Sequence, residues 1–102
     1  MGLDVHWRNE QGGDLGQVPD PQLSLSRHVR SSEWSQTTCL RFIDPYGDTI
    51  FNQQQMPVLI REFQASLVAV SDVMIQQQVA DVIRLLKKAE GQIHTYAWFI
   101  GD

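Results

Sequence analysis

A chain of 102 residues and 11.7 kDa has room for one ordinary domain, which excludes a multidomain enzyme or a long solenoid. Hydrophobic residues make up 42% and charged residues 20%, a globular balance that implies a core rather than a disordered chain. Eight Lys and Arg stand against twelve Asp and Glu, a formal net charge of −4 without a basic stripe, which argues against nucleic acid as a partner.

Leu3 to Arg8 alternates strictly, with Leu3, Val5 and Trp7 on one side and Asp4, His6 and Arg8 on the other, and predicts a half-buried strand. From Asn9 to about Gln36 the chain changes character. Gly12, Gly13, Gly16, Pro19 and Pro21 fall among many Ser and Gln with no sustained period, so the stretch reads as a long loop. Leu23, Leu25 and Val29 fit either a short strand or a turn of helix inside it. A loop of that length in so small a domain is unusual and is generally either mobile or functional.

Thr37 to Ile43 is rich in strand formers and predicts a second strand. Asp44-Pro45-Tyr46-Gly47-Asp48 then supplies the residues of a type I turn with a left-handed exit, and Thr49 to Phe51 pairs back as a short arm. Asn52 and Gln55 have capping-box spacing, Pro57 suits a first helical turn, and a helix is expected from about Gln55. Met56, Leu59, Ile60, Phe63, Leu67 and Val70 form its apolar stripe.

Ser71-Asp72 signals a second cap. Ile75, Val79, Val82, Ile83 and Leu86 make a second stripe that ends at Lys87-Lys88 and Gly91, where the two cations suit a helix C-terminus. Gln92 to Ile100 closes the chain as a strand. The expected fold is one α+β domain over residues 1–102, in the order β-loop-β-β-α-α-β, with a small antiparallel or mixed sheet and two amphipathic helices packed on one face.

Helices on one face leave the other free, and alternation sorts the strands between them. Leu3, Val5 and Trp7 with Leu40 and Phe42 are expected inside; Asp4, His6 and Arg8 with Cys39, Arg41 and Ile43 are expected outside. Two phases of the last strand are open, since a shift of one residue exchanges its sets. The phase with Ile93, Thr95, Ala97 and Phe99 inside is favoured, because an unpartnered His94 in the core costs more than Thr95. In that phase His6, Arg8, Arg41, His94, Tyr96 and Trp98 share the open face, and Trp, Tyr and Arg are the residues that carry most recognition energy. The same cross-strand pairs also stabilise ordinary sheets, by about 0.2 to 1 kcal/mol each.

Chemistry is weakly signalled. Cys39 with His6 and His94 invites a thiolate reading in which Asp4 orients a ring, yet nothing around Cys39 offers oxyanion donors or a positive helix end. His6, His28 and His94 lack any short zinc-ligand spacing, and Asp44 and Asp48 are what the turn itself prefers. No phosphate-cradling, dinucleotide or nucleophile-elbow motif occurs, so no cofactor is expected. One cysteine, no export signal and no apolar run approaching the roughly 20 residues of a membrane span fit a cytoplasmic protein without a membrane partner. The sequence therefore points to a non-catalytic protein-interaction module that binds a partner or its own copy through the open face and the loop, with an inhibitor or immunity-like role against a basic partner as one form. A cysteine-dependent enzyme or ligand-binding protein built on Cys39, His6 and His94 is the alternative.

Overall fold

Alternation in the first residues yields strand β1 (Asp4–Asn9), whose Val5 is fully buried while Asp4, His6 and Arg8 face away from the core. The computed structural model describes residues 2–31 and 33–101. After β1 the chain turns at once. Asn9 Oδ1 accepts the amides of Gln11 at 3.0 Å and Gly13 at 2.9 Å, Gly12 takes φ 86°, and strand β2 (Asp14–Val18) returns antiparallel to β1 with a bulge opposite Trp7 and Arg8.

The expected loop from Asn9 to Gln36 is thus largely structured, since helix α1 (Ser24–Ser31) follows β2. Neither element advertises itself. In β2, Gly16 stands where a core side chain is expected because Leu85 fills the space: a Cβ there would lie 2.8 Å from Leu85 Cδ1. In α1 the buried face includes Ser24, Ser26 and His28, so the apolar period is missing. The helix is held instead by Asp20, whose buried carboxylate accepts the amides of Leu25 at 3.0 Å, Ser26 at 2.9 Å and Leu3 at 3.0 Å.

Thr37 to Ile43 is not a strand. The Glu62 carboxylate accepts the amides of Thr38, Cys39 and Leu40 at 2.6, 2.9 and 3.1 Å, and donors so engaged are withdrawn from any ladder. The segment instead makes a single 3-10 turn at Leu40–Phe42. The turn expected at Asp44 to Gly47 is present, with Asp44 Oδ1 accepting the Tyr46 amide at 2.9 Å, and β3 (Asp48–Asn52) leaves it. The Asn52 and Gln55 capping box also forms, ahead of α2 (Met56–Ser66). Asp72 caps α3 (Val73–Ala89), and β4 (Thr95–Ile100) completes the sheet.

The result is an α+β fold. One antiparallel sheet has the order β2-β1-β4-β3, and three helices, one more than expected, pack against it. The core lies between these layers, where Val5, Phe51, Ala97 and Phe99 meet Leu59 and Phe63 of α2 and Val82 and Leu86 of α3. Phe99 is its centre, with ring centroids 5.7 Å from Phe51 and 6.0 Å from Phe63. Among the described residues no helix is long and apolar enough to cross a membrane.

Candidate functional site

Register fixes which side chains share the face turned away from the helices. Pairing His6 with Trp98, Arg8 with Tyr96 and Asp4 with Ile100 puts these six together, while their neighbours Thr95, Ala97 and Phe99 are buried on the helix side. The phase favoured from the sequence is therefore the one observed over Thr95 to Ile100, whereas Ile93, expected inside, precedes the strand and is 68% exposed. Partners in β2 and β3 extend each row: Gln17, His6, Trp98 and Ile50 lie across the middle of the sheet, with Asp14, Arg8, Tyr96 and Asn52 beside them.

Four side chains hold one another there. Asp14 Oδ1 accepts from Arg8 Nε at 2.8 Å and stands 3.1 Å from His6 Nδ1, and the Arg8 guanidinium carbon lies 5.0 Å above the Trp98 ring. The hydrogen bond from Arg8, joined by that of His6, draws the Asp14 carboxyl below the usual carboxylate range. Arg8 is thereby oriented before anything binds. Beside this cluster the β1–β2 turn at Glu10 to Gly12 walls a depression of about 460 Å³ whose floor is Ile50, Tyr96 and Trp98. Ile50 is 48% exposed, a large apolar side chain in the open.

His94 reaches the rim from outside the strand. It precedes β4 with φ 61°, a left-handed conformation uncommon for a residue with a Cβ, and its Nδ1 lies 3.3 Å from Glu10 Oε2. That contact ties the start of β4 to the first turn. Charge on the face leans acidic, since Asp4 and Asp48 have no cationic partner among the described residues.

Arg41 is not part of this face. It sits in the 3-10 turn with its guanidinium carbon 4.8 Å above the Phe42 ring, because the strand expected there does not form. Phe42, expected inside, is 61% exposed, and Ile43, expected outside, is buried. Cys39 likewise leaves the open face for the core, where it is 3% exposed; burial, and then the Glu62 charge, pushes its thiol up. The arrangement of Cys39 with His6 and His94 is therefore absent. His28 is buried in α1 beside Ser66 and Trp34, away from the other two imidazoles, and among the described residues no group of His, Cys, Asp and Glu could hold a metal ion.

The sequence does not mark Asp14, Glu10 or Ile50: Asp14 and Glu10 fall in a stretch that reads as loop, and Ile50 falls in a short arm whose face the pattern leaves open, although Asn9-x-x-Gly12-Gly13 followed by Asp14 to Val18 is a hairpin signal. No protein-family model matches the chain, and neither a curated protein nor a solved structure matches it.

Proposed function

We propose that this chain is a non-catalytic interaction module that takes a protein partner with a basic contact surface on the open face of its sheet, an inhibitor or immunity-like role being the concrete form. The observation that carries this reading is the Trp98–Arg8 pair, held in place by Asp14 at the centre of a face no helix covers. Trp and Arg dominate binding energy at interfaces, and a side chain already oriented loses less entropy on docking. Two features favour a basic partner: the net charge of −4 and the carboxylates of Asp4 and Asp48 on the same face, of which Asp4 accepts the Asp20 amide at 2.7 Å but neither has a cationic partner among the described residues. The β1–β2 turn at Glu10 to Gly12, rather than a long loop, forms the raised edge of the site.

The test is Trp98→Ala, whose side chain is on the open face and outside the packed core. Proteins retained from cell extract by the immobilised parent are identified, purified and titrated calorimetrically against parent and variant. The expected result is a partner with a basic contact surface that binds the parent and loses about 2 kcal/mol, roughly thirtyfold, with Trp98→Ala while the variant melts cooperatively. A purified partner that binds both equally, or the absence of any that rebinds the parent, overturns the reading.

A further inference from the structure

The sheet order leaves β3 at one outer edge, and the phase of its ladder decides which of its backbone groups look outward. The Gly101 amide donates to the Gly47 carbonyl at 2.8 Å. Stepping along the register by two, Thr49 with Phe99 and Phe51 with Ala97 are the hydrogen-bonded pairs, so the N–H and C=O groups of Asp48 and Ile50 turn away from β4. The middle residue of the strand thus offers one donor and one acceptor at an edge that no strand covers.

The other edge of the sheet is blunted. β2 carries a bulge and Gly16, which disturb its regularity and hinder continuous pairing. β3, Asp-Thr-Ile-Phe-Asn, has no Pro, Lys or bulge. Its ends, Asp48 and Asn52, flank Ile50 at equal distance. Laid antiparallel against itself with Ile50 opposite Ile50, it sets each Asp48 opposite an Asn52 of the other copy, so that no like charges face each other. The Asn52 backbone amide is already donated to Gln55 Oε1 at 2.8 Å and its Oδ1 accepts the Gln54 and Gln55 amides, so across the axis Asn52 meets the Asp48 carboxylate through Nδ2 alone, and the backbone join rests on the Ile50 pair. A slip of two residues would set Asp48 against Ile50 and lose both matches.

We infer that β3 pairs with β3 of a second copy about a two-fold axis at Ile50, the two four-stranded sheets being joined through the reciprocal Ile50 backbone hydrogen bonds. The occupant is a second copy because the complementarity is mutual: two carboxylate-to-amide contacts flank an apolar Ile50 pair, with Trp98 behind each Ile50. An edge of five residues is only about 17 Å long and buries less than the roughly 800 Å² per partner of a standard interface, so the dimer is transient and micromolar. Two copies of net charge −4 repel, and added salt therefore tightens the dimer. This inference goes beyond the open-face reading and stands apart from it, since a monomeric chain could still bind a partner through Trp98.

Sedimentation equilibrium from low micromolar to near-millimolar concentration tests it on the parent, Ile50→Pro, Ile50→Lys and Leu15→Lys. Ile50→Pro removes the outward N–H without touching the ladder to β4, and Ile50→Lys places two cations across the axis while keeping that N–H. Leu15, 46% exposed on β2, is the control edge. The expected result is a parent and a Leu15→Lys variant that dimerise, more tightly with salt, and Ile50 variants weakened about tenfold or more with melts like the parent's. A parent that stays monomeric throughout, or a dimer that folded Ile50→Lys leaves intact, overturns the inference. So does a dimer lost equally on Leu15→Lys.

Discussion

Gly101 lies against the turn before β3 so closely that its amide reaches the Gly47 carbonyl at 2.8 Å, and a Cβ on Gly101 would fall inside contact distance of the Pro45 carbonyl oxygen. Both neighbours are backbone and cannot swing aside. Gly101→Ala is therefore expected to lower stability by about 1 to 3 kcal/mol, seen as a drop in the urea midpoint with unchanged slope. A midpoint equal to the parent's would mean that the turn is not held by this contact.

Glu62 organises a segment with no regular structure of its own. Burial tends to raise its carboxyl, but the amides of Thr38, Cys39 and Leu40 outweigh that and hold it below the usual carboxylate range. Glu62→Ala leaves those three donors without their acceptor and is expected to cost about 2 to 3 kcal/mol. Faster amide exchange should concentrate at these three positions, and uniform exchange would show that the segment is held elsewhere.

His28 makes stability depend on pH near neutrality. Its Nε2 lies 3.0 Å from Ser66 Oγ, which itself donates to the Phe63 carbonyl, so the neutral ring donates through Nε2. Burial lowers the imidazole below its ordinary value of 6.5. The unfolded chain then takes up the proton more readily, so stability is fully present above pH 6.5 and is lost as pH falls below it. Urea midpoints should decline from about pH 7.5 to 5.5 in the parent and change less in His28→Gln. Glu62, a depressed carboxylate, contributes its own loss only as pH falls below 4.5 toward its lowered folded value. Parallel curves for parent and variant above pH 5.5 would remove His28 from the explanation.

Cys39 should be inert while the protein is folded. With its thiol buried and raised, alkylation by iodoacetamide is expected to run at least about tenfold slower than for a free thiol, and to reach the free rate in urea. A folded-state rate above the free thiol's would revive a chemical role for this residue.

Much of the architecture was legible because periodicity and capping agreed. The Asn52–Gln55 box, the Asp72 cap, the phase of β4 over Thr95 to Ile100 and the stripe at Met56, Leu59, Ile60 and Phe63 appear as the residues imply, although α2 ends at Ser66 and so does not carry Leu67 and Val70. What escaped was decided by contacts distant in sequence. Thr37 to Ile43 has β-favouring residues but spends its amides on Glu62, and α1 substitutes the Asp20 carboxylate for an apolar stripe. The open face was accordingly half legible: His6, Arg8, Tyr96 and Trp98 followed from alternation, His94 lies at the rim, and Arg41 fell with its strand. Asp14 needed a hairpin that Gly16 obscures.

The position of β4 also orders events during biosynthesis. It follows β1, β2 and β3 in chain order yet lies between β1 and β3, so the early hairpin and the later arm are joined in the sheet only once Ile100 has been translated. A nascent chain halted before that point exposes two strands with unsatisfied flanks. Such stalled material should engage holdase chaperones, and emergence of β4 should coincide with acquisition of protease resistance.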